Sequence, residues 1–322
     1  SVRFTRERSG VRVPSHPPNF NPPESATAAT ASVLFGGMLF GTAGVAQAFA
    51  PVGAHPLTVG ALRLSIGALA LCLFVLARGG SLPSIVRPWG TRAGVLAAAG
   101  AAAYQPFFFA GVQRAGVPLG TLVAVGSAPI FTGLLGWAWR RERPSTSWAF
   151  ATAVCVVGLA LLTGAGAEGG SLDGIALTAG AGLSIACYTL AAKSLLNAGA
   201  DAIGVCASAF LLGSLVVVPF ALAQGVGWAL TAGGALIAAY LGVATMGVAN
   251  ILYTRGLSGL AAPTAATLGL ADPVTATALG VLVLGQQVPP LGWLGFLDVV
   301  LGLLLQGVWA ARAGGNDRFP LG

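Results

Sequence analysis

Charge is scarce in this chain. Asp, Glu, Lys and Arg make up only 8% of its 322 residues, against about 25% in a soluble domain, too few to cover a water-soluble fold of this length. Histidine is scarcer still: His16 lies in the N-terminal tail and His55 in a loop, so no histidine-bearing catalytic set can form inside the apolar segments. The cysteines Cys72, Cys155, Cys187 and Cys206 form no CxxC pair and all fall within apolar stretches, which leaves them as small core residues. No metal and no cofactor are therefore expected. A phosphate-cradling GxxxxGK[ST] loop is missing too, so ATP is not the expected energy source. The net charge of +7 comes from basic residues scattered through short loops. Without a single basic patch, nucleic acid is not an expected partner.

Apolar residues make up 56% of the chain and come in runs of about 20, the length that crosses a hydrocarbon core of roughly 30 Å as a helix. Gly and Ala are abundant inside these runs, and in lipid they let helix backbones pack closely. The lipid bilayer is thus the first partner expected. Ten spans are predicted, near residues 32–50, 57–77, 93–112, 117–139, 147–164, 174–192, 203–223, 229–252, 263–285 and 291–311. Residues 1–30 are polar, basic and Pro-rich and read as a disordered tail. They lack an apolar core before a cleavage site, so they are not a secretory signal. The stretch Ser9 to Ser15 is what a tRNA T-arm yields when translated, which points to a tail that is not native.

With both termini in the cytoplasm, the cytoplasmic segments hold the arginines of the tail, Arg78, Arg87, Arg92, Arg140, Arg141, Arg143, Lys193, Arg255, Arg312 and Arg318. The opposite side holds Arg114, and Arg63 lies inside a span. This bias sets the expected orientation. With the Gly/Ala/Val-rich composition it points to a bacterial inner membrane. Trp137, Trp139, Trp148, Trp228, Trp293 and Trp309 fall near predicted helix ends, where the ring prefers the membrane interface.

The two halves resemble each other at an offset of 144–145 residues. Gly111 answers to Gly256 and Pro118 to Pro263; after a one-residue slip Ala128-Pro129 answers to Asp272-Pro273, and further on Trp148 answers to Trp293 and Gly158 to Gly302. Duplicating an odd number of spans places the second copy upside down. The fold class expected is an all-α membrane protein of ten transmembrane helices in two inverted five-helix repeats, over residues 31–165 and 173–311, with a C-terminal tail over 312–322. Inverted repeats are a recurring plan of secondary transporters, because exchanging the conformations of the two copies gives an outward-open and an inward-open state.

Several short motifs recur in order and spacing along residues 32–311. They are Phe40-Gly41-Thr42, Leu62-Arg63-Leu64, Phe108-Phe109-Ala110-Gly111, Ala128-Pro129-Ile130-Phe131, Glu142-Arg143 and Asp272-Pro273. In these the chain resembles the drug/metabolite transporter superfamily, and within it the EamA-type ten-helix members. The resemblance implies a secondary active exporter of amino-acid-like or drug-like metabolites, working by alternating access without ATP. Sugar-nucleotide and phosphate-ester exchangers of the superfamily need more intramembrane basic residues than Arg63. One departure is Gly285-Gln286-Gln287, where the family often ends span 9 with Gly-Glu.

Charges inside a membrane are costly and usually functional. Arg63 sits about two turns into span 2 and offers a cation for a substrate carboxylate; an interhelical pair or a snorkelling anchor is the structural alternative. Asp272 lies near the middle of span 9, where Pro273 removes a backbone hydrogen bond and where a carboxyl is placed to take up and release a coupling proton. Pro129 is the equivalent kink candidate in span 4. Asp298 falls in span 10, which the family places at the periphery. Gln47, Tyr104, Gln105, Tyr188 and Asn250 are cavity-lining candidates, with Thr189, Tyr240 and Tyr253 beside them; any of these can instead be helix-packing glue. A homodimer is left open. An intramembrane enzyme would need a Ser/His, paired-Asp or metal-ligand set, and Asp272 and Asp298 sit in no recognisable protease motif. A channel would show a ring of like charges or a filter-like loop, and neither is visible.

Overall fold

The computed structural model describes residues 25–140, 144–164 and 171–316. Residues 1–24 of the expected tail, the Glu142-Arg143 pair and residues 317–322 lie outside the described residues. Among the described residues ten helices are long and apolar enough to cross a membrane. Spans 1 to 5 are Ala26–Ala48, Pro56–Ala77, Arg92–Ala115, Val117–Trp139 and Thr146–Thr163. Spans 6 to 10 are Leu172–Asn197, Ala202–Gln224, Ala232–Gly259, Ala262–Leu284 and Pro290–Arg312. Short connections make successive spans antiparallel, so span 1 begins and span 10 finishes at the same end of the bundle, the near end.

Polar side chains set the starts of many spans. Ser25, Thr91, Ser145, Ser171, Asp201 and Thr231 each accept a hydrogen bond from a backbone N–H of the first turn, which satisfies a donor the helix cannot. The Ser25 cap starts span 1 at Ala26, so residues 26–30, expected in the tail, are helical. The helix of span 10 likewise runs on to Asn316, past its expected end. Trp228 lies just before span 8, as expected, but its ring faces the protein. It is buried, and its Nε1 donates to Thr58 Oγ1 at 3.0 Å, locking the turn before span 8 onto span 2. Trp137, Trp139 and Trp293 are exposed, as interfacial rings should be.

The inverted repeat is visible in where helices touch. Gly111 of span 3 lies against the backbone of Gly174 and Thr178 in span 6. Gly256 of span 8 lies against Ala29 and Val33 in span 1. All three second-repeat residues stand 145 positions after their counterparts, so one crossing is the other turned over. In the same way Gly158 of span 5 seats on Gly295 and Val299 of span 10, while Gly302 of span 10 seats on Ala151 and Cys155 of span 5. A side chain at any of these four glycines would collide with the facing backbone, so the duplicated glycines set how closely the helices cross.

Two irregularities break the symmetry. The contacts of Gly67 and Gly213 relate Ala98 to Gly242 and Ala102 to Met246, an offset of 144, whereas Gly111 and Gly256 are 145 apart. The extra residue is taken up in span 8 by a π-helical segment, Leu241–Val248, since a π-turn holds one residue more than an α-turn. Span 9 is interrupted at Gly269 and Leu270, between the helices Ala262–Leu268 and Ala271–Leu284. This is the place where the sequence alignment slips back by one residue. Span 4, its counterpart, runs unbroken through Pro129.

Candidate functional site

Spans 1 to 4 and 6 to 9 surround a cavity of about 160 Å³ midway along the bundle. Spans 5 and 10 stay outside it and pack on each other. Arg63, Tyr104, Gln105, Tyr188, Asn250 and Asp272 all line it, together with Thr189 and Tyr253. Gln47 and Tyr240 do not. Gln47 sits at the far end of span 1, and the Tyr240 hydroxyl donates to Thr42 Oγ1 at 2.8 Å. Phe40, Phe210, Ile185 and Met246 complete much of the apolar wall. Sequence reasoning missed these four as wall residues, because in an apolar span nothing separates a cavity-facing ring from a lipid-facing one.

Local backbone chemistry brings Asp272 to the cavity. Pro273 has no N–H to offer the Gly269 carbonyl, and that carbonyl instead accepts from the Asp272 N–H at 3.1 Å. The helix breaks at Gly269 and Leu270 and restarts at Ala271, with Asp272 in the first turn of the new segment. A carboxylate there is favoured by the positive end of the helix dipole. Span 1 holds the break in place: Gly37 lies on Ala271 and the Gly269 carbonyl, and Gly41 on the Asp272 backbone and Thr275.

Arg63, Tyr104 and Asp272 line the same cavity. Among the described residues, however, the ion pair in direct contact is Arg114–Asp173, an exposed pair at 3.3 Å. Arg63 Nε is buried without a hydrogen-bond partner. Arg63 and Asp272 thus share the cavity without forming an ion pair. Gln105 is 6% exposed, and its amide fits because Gly60 has no side chain to displace it. The Asn250 amide donates to the Met246 carbonyl within the irregular part of span 8 at 2.9 Å. Gln105 also borders an apolar groove between spans 2, 3 and 7.

Polar ties join the spans at the near end. Thr189 Oγ1 and the Tyr253 hydroxyl are 3.2 Å apart, and the Tyr188 hydroxyl lies 3.4 Å from Thr254 Oγ1. Lys193 Nζ donates to the carbonyls of Leu257 and Ser258 at 2.8 and 3.0 Å. Trp148 Nε1 donates to Thr267 Oγ1 at 3.0 Å, and Thr152 Oγ1 is 2.8 Å from the same hydroxyl. At the far end the counterparts by the 145-residue offset are apolar. Gly44 stands for Thr189 and faces open space, Ala48 stands for Lys193, and Phe108 stands for Tyr253. Spans 6 and 8 pack together at the near end, while spans 1 and 3 show no comparable packing at the far end.

The EamA-like transporter family matches residues 28–164 and, a second time, residues 172–307. The chain belongs to the EamA-like transporter family. The two matches are the two inverted repeats, and this EamA protein spans the membrane many times. An uncharacterized transporter of Bacillus subtilis strain 168, YwfM, is 37% identical over 275 residues, covering 85% of this chain and 91% of that protein. A solved crystal structure superposes with a TM-score of 0.75 over 90% of this chain and 98% of the other, at 21% identity, a likeness of fold alone. Membership makes the chain a transporter, with a small-molecule substrate and the bilayer as its partners.

Proposed function

We propose that this chain is a secondary active exporter of a small metabolite with at least one charged group, most simply an amino-acid-like zwitterion, working by alternating access about the central cavity. The observation that carries the proposal is that Arg63 and Asp272, the two charged residues lining the central cavity, share it without an ion pair between them. Such an arrangement fits a solute whose anionic end meets Arg63 and whose cationic end meets Asp272. Size argues the same way. A cavity of about 160 Å³ is below the roughly 300–1,000 Å³ of pockets that hold drug-sized ligands, which ranks amino-acid-like cargo above drug-like cargo. Asp272 is the group assigned to carry a coupling proton. The near end carries the basic loops, so we place it and both termini on the cytoplasmic side of a bacterial inner membrane. The conformation is then closed to the cytoplasm.

Flux in proteoliposomes tests this, scanning labelled amino acids and common metabolites with and without a pH gradient. Saturable, gradient-driven uptake of one class is expected. Arg63→Ala should lower it by about ten- to a hundredfold, since a charged hydrogen bond contributes about 1.5–3 kcal/mol. Asp272→Asn should remove the dependence on the pH gradient. Saturable flux that neither substitution alters would overturn the assignment of both residues.

A further inference from the structure

Span 10 carries an acid that the cavity does not use. Asp298 lies about 12 Å along the helix from Pro290, at 1.5 Å per residue, too deep for a short side chain to reach water. Its Cβ packs on Gly158 of span 5, and it is half-buried at the edge of the contact between the two spans. No described residue gives its carboxyl a hydrogen bond or an ion pair. The repeat does not require an acid there, because the counterpart at the offset of Gly158 and Gly302 is Val154. An unpartnered carboxyl at this depth, on a helix that faces lipid, is costly.

The residues flanking Asp298 form a pattern. Leu291, Leu294, Asp298, Leu301, Leu305 and Val308 are spaced alternately three and four apart. Leu291, Leu294, Leu301 and Val308 are about half exposed. This is a heptad seam with Asp298 at an a position, the place where a single polar residue fixes the register of a two-stranded coiled coil. The counterpart face of span 5 has no acid and no leucine seam.

We propose that this face binds the same face of a second copy of the chain, span 10 against span 10 about a two-fold axis along the membrane normal. Both copies point the same way in the membrane, so a positions meet at equal depth and each Asp298 faces the partner's Asp298. One carboxyl keeps its proton and donates it as a hydrogen bond to the other, the arrangement open to two acids that cannot both ionise at close range. The leucines supply knobs-into-holes packing, and the acid pair supplies the polar contact that holds helices together in lipid.

The test counts subunits of the full-length, singly labelled protein in liposomes by single-molecule photobleaching across a range of protein-to-lipid ratios. Two-step bleaching is expected, persisting to low density. Asp298→Asn should keep it, since amides pair across a symmetric seam, and Asp298→Leu should move the midpoint to a density about tenfold higher. Retained solute flux in Asp298→Leu would show that this variant is folded. Oxidation should cross-link Leu301→Cys between copies and leave Leu304→Cys, outside the seam, monomeric; the parent chain with its own cysteines is the blank. Single-step bleaching of the parent at every density would overturn the proposal. So would an unchanged midpoint in Asp298→Leu, or cross-linking of Leu304→Cys as fast as Leu301→Cys.

Discussion

The two repeats agree where helices cross and differ where they line the cavity. In the first repeat, spans 3 and 4 are continuous through Pro106 and Pro129. In the second, span 8 contains a π segment and span 9 is broken before Asp272. The polar ties follow the same division. They tie spans 6 and 8, and span 9 to span 5, at the near end, and their counterparts at the far end are Gly44, Ala48 and Phe108. The comparison separates what a duplicated chain keeps from what it changes. Shared framework is kept in register by the glycines that set the crossings. The copies diverge in the cavity wall, in the near-end ties and on the outer face of span 10.

Breaking the near-end closure should have the largest effect. Lys193→Met removes a cation that donates to two carbonyls of span 8. Hydrogen bonds to charged groups contribute about 1.5–3 kcal/mol, so the balance should move toward the near-end-open state by about ten- to a hundredfold. Maleimide labelling of a reporter Ala266→Cys, on the near side of the cavity, should speed up by that factor. An unchanged rate would show that Lys193 anchors a helix end and does not hold the closure. The framework, by contrast, should respond equally in both repeats. Gly111→Val and Gly256→Val each drive a side chain into facing backbone, and overpacking costs about 1–3 kcal/mol. Both should lower the melting temperature in detergent by similar amounts, and Gly44→Val, which meets open space, should not. A large difference between the two mirrored variants would mean that the crossings are not equivalent.

Much of this framework is legible in the amino-acid sequence. Runs of apolar residues locate all ten spans, and the pairs Gly111/Gly256 and Gly158/Gly302, which match along the chain, prove to be the mirrored crossings. Arg63 and Asp272 stand out because charge is conspicuous in apolar sequence, and both line the cavity. The irregular backbone is not legible. Hydropathy reports whether a segment is apolar and is blind to whether its turns are α or π, and the one-residue slip near Asp272-Pro273 marks the broken helix without giving its form. Gln47 fails as a cavity candidate because an amide near a helix end carries no sign of the direction it faces. Trp228 lies near a helix end as the sequence suggests, but the sequence does not reveal that its ring is buried with its N–H on the Thr58 hydroxyl.

The smallest expected effect is the sharpest test of the comparison, because it builds symmetry where the chain has dropped it. Gly44 and Phe108 occupy the far-end positions of Thr189 and Tyr253. The double variant Gly44→Thr with Phe108→Tyr therefore installs between spans 1 and 3 the hydroxyl pair that joins spans 6 and 8 at the near end. Gly44 has space for the added atoms, and the Phe108 ring gains only an oxygen. Side-chain hydrogen bonds between membrane helices average about 0.6 kcal/mol, so the far-end-closed state should gain about threefold in population. The distance distribution between spin labels on the far ends of spans 1 and 3 should shift toward the shorter component by that factor. Each single variant lacks one partner and should leave it unchanged. If the double variant behaves like the single ones, spans 1 and 3 do not approach as spans 6 and 8 do, and the two ends of the cavity close by different means.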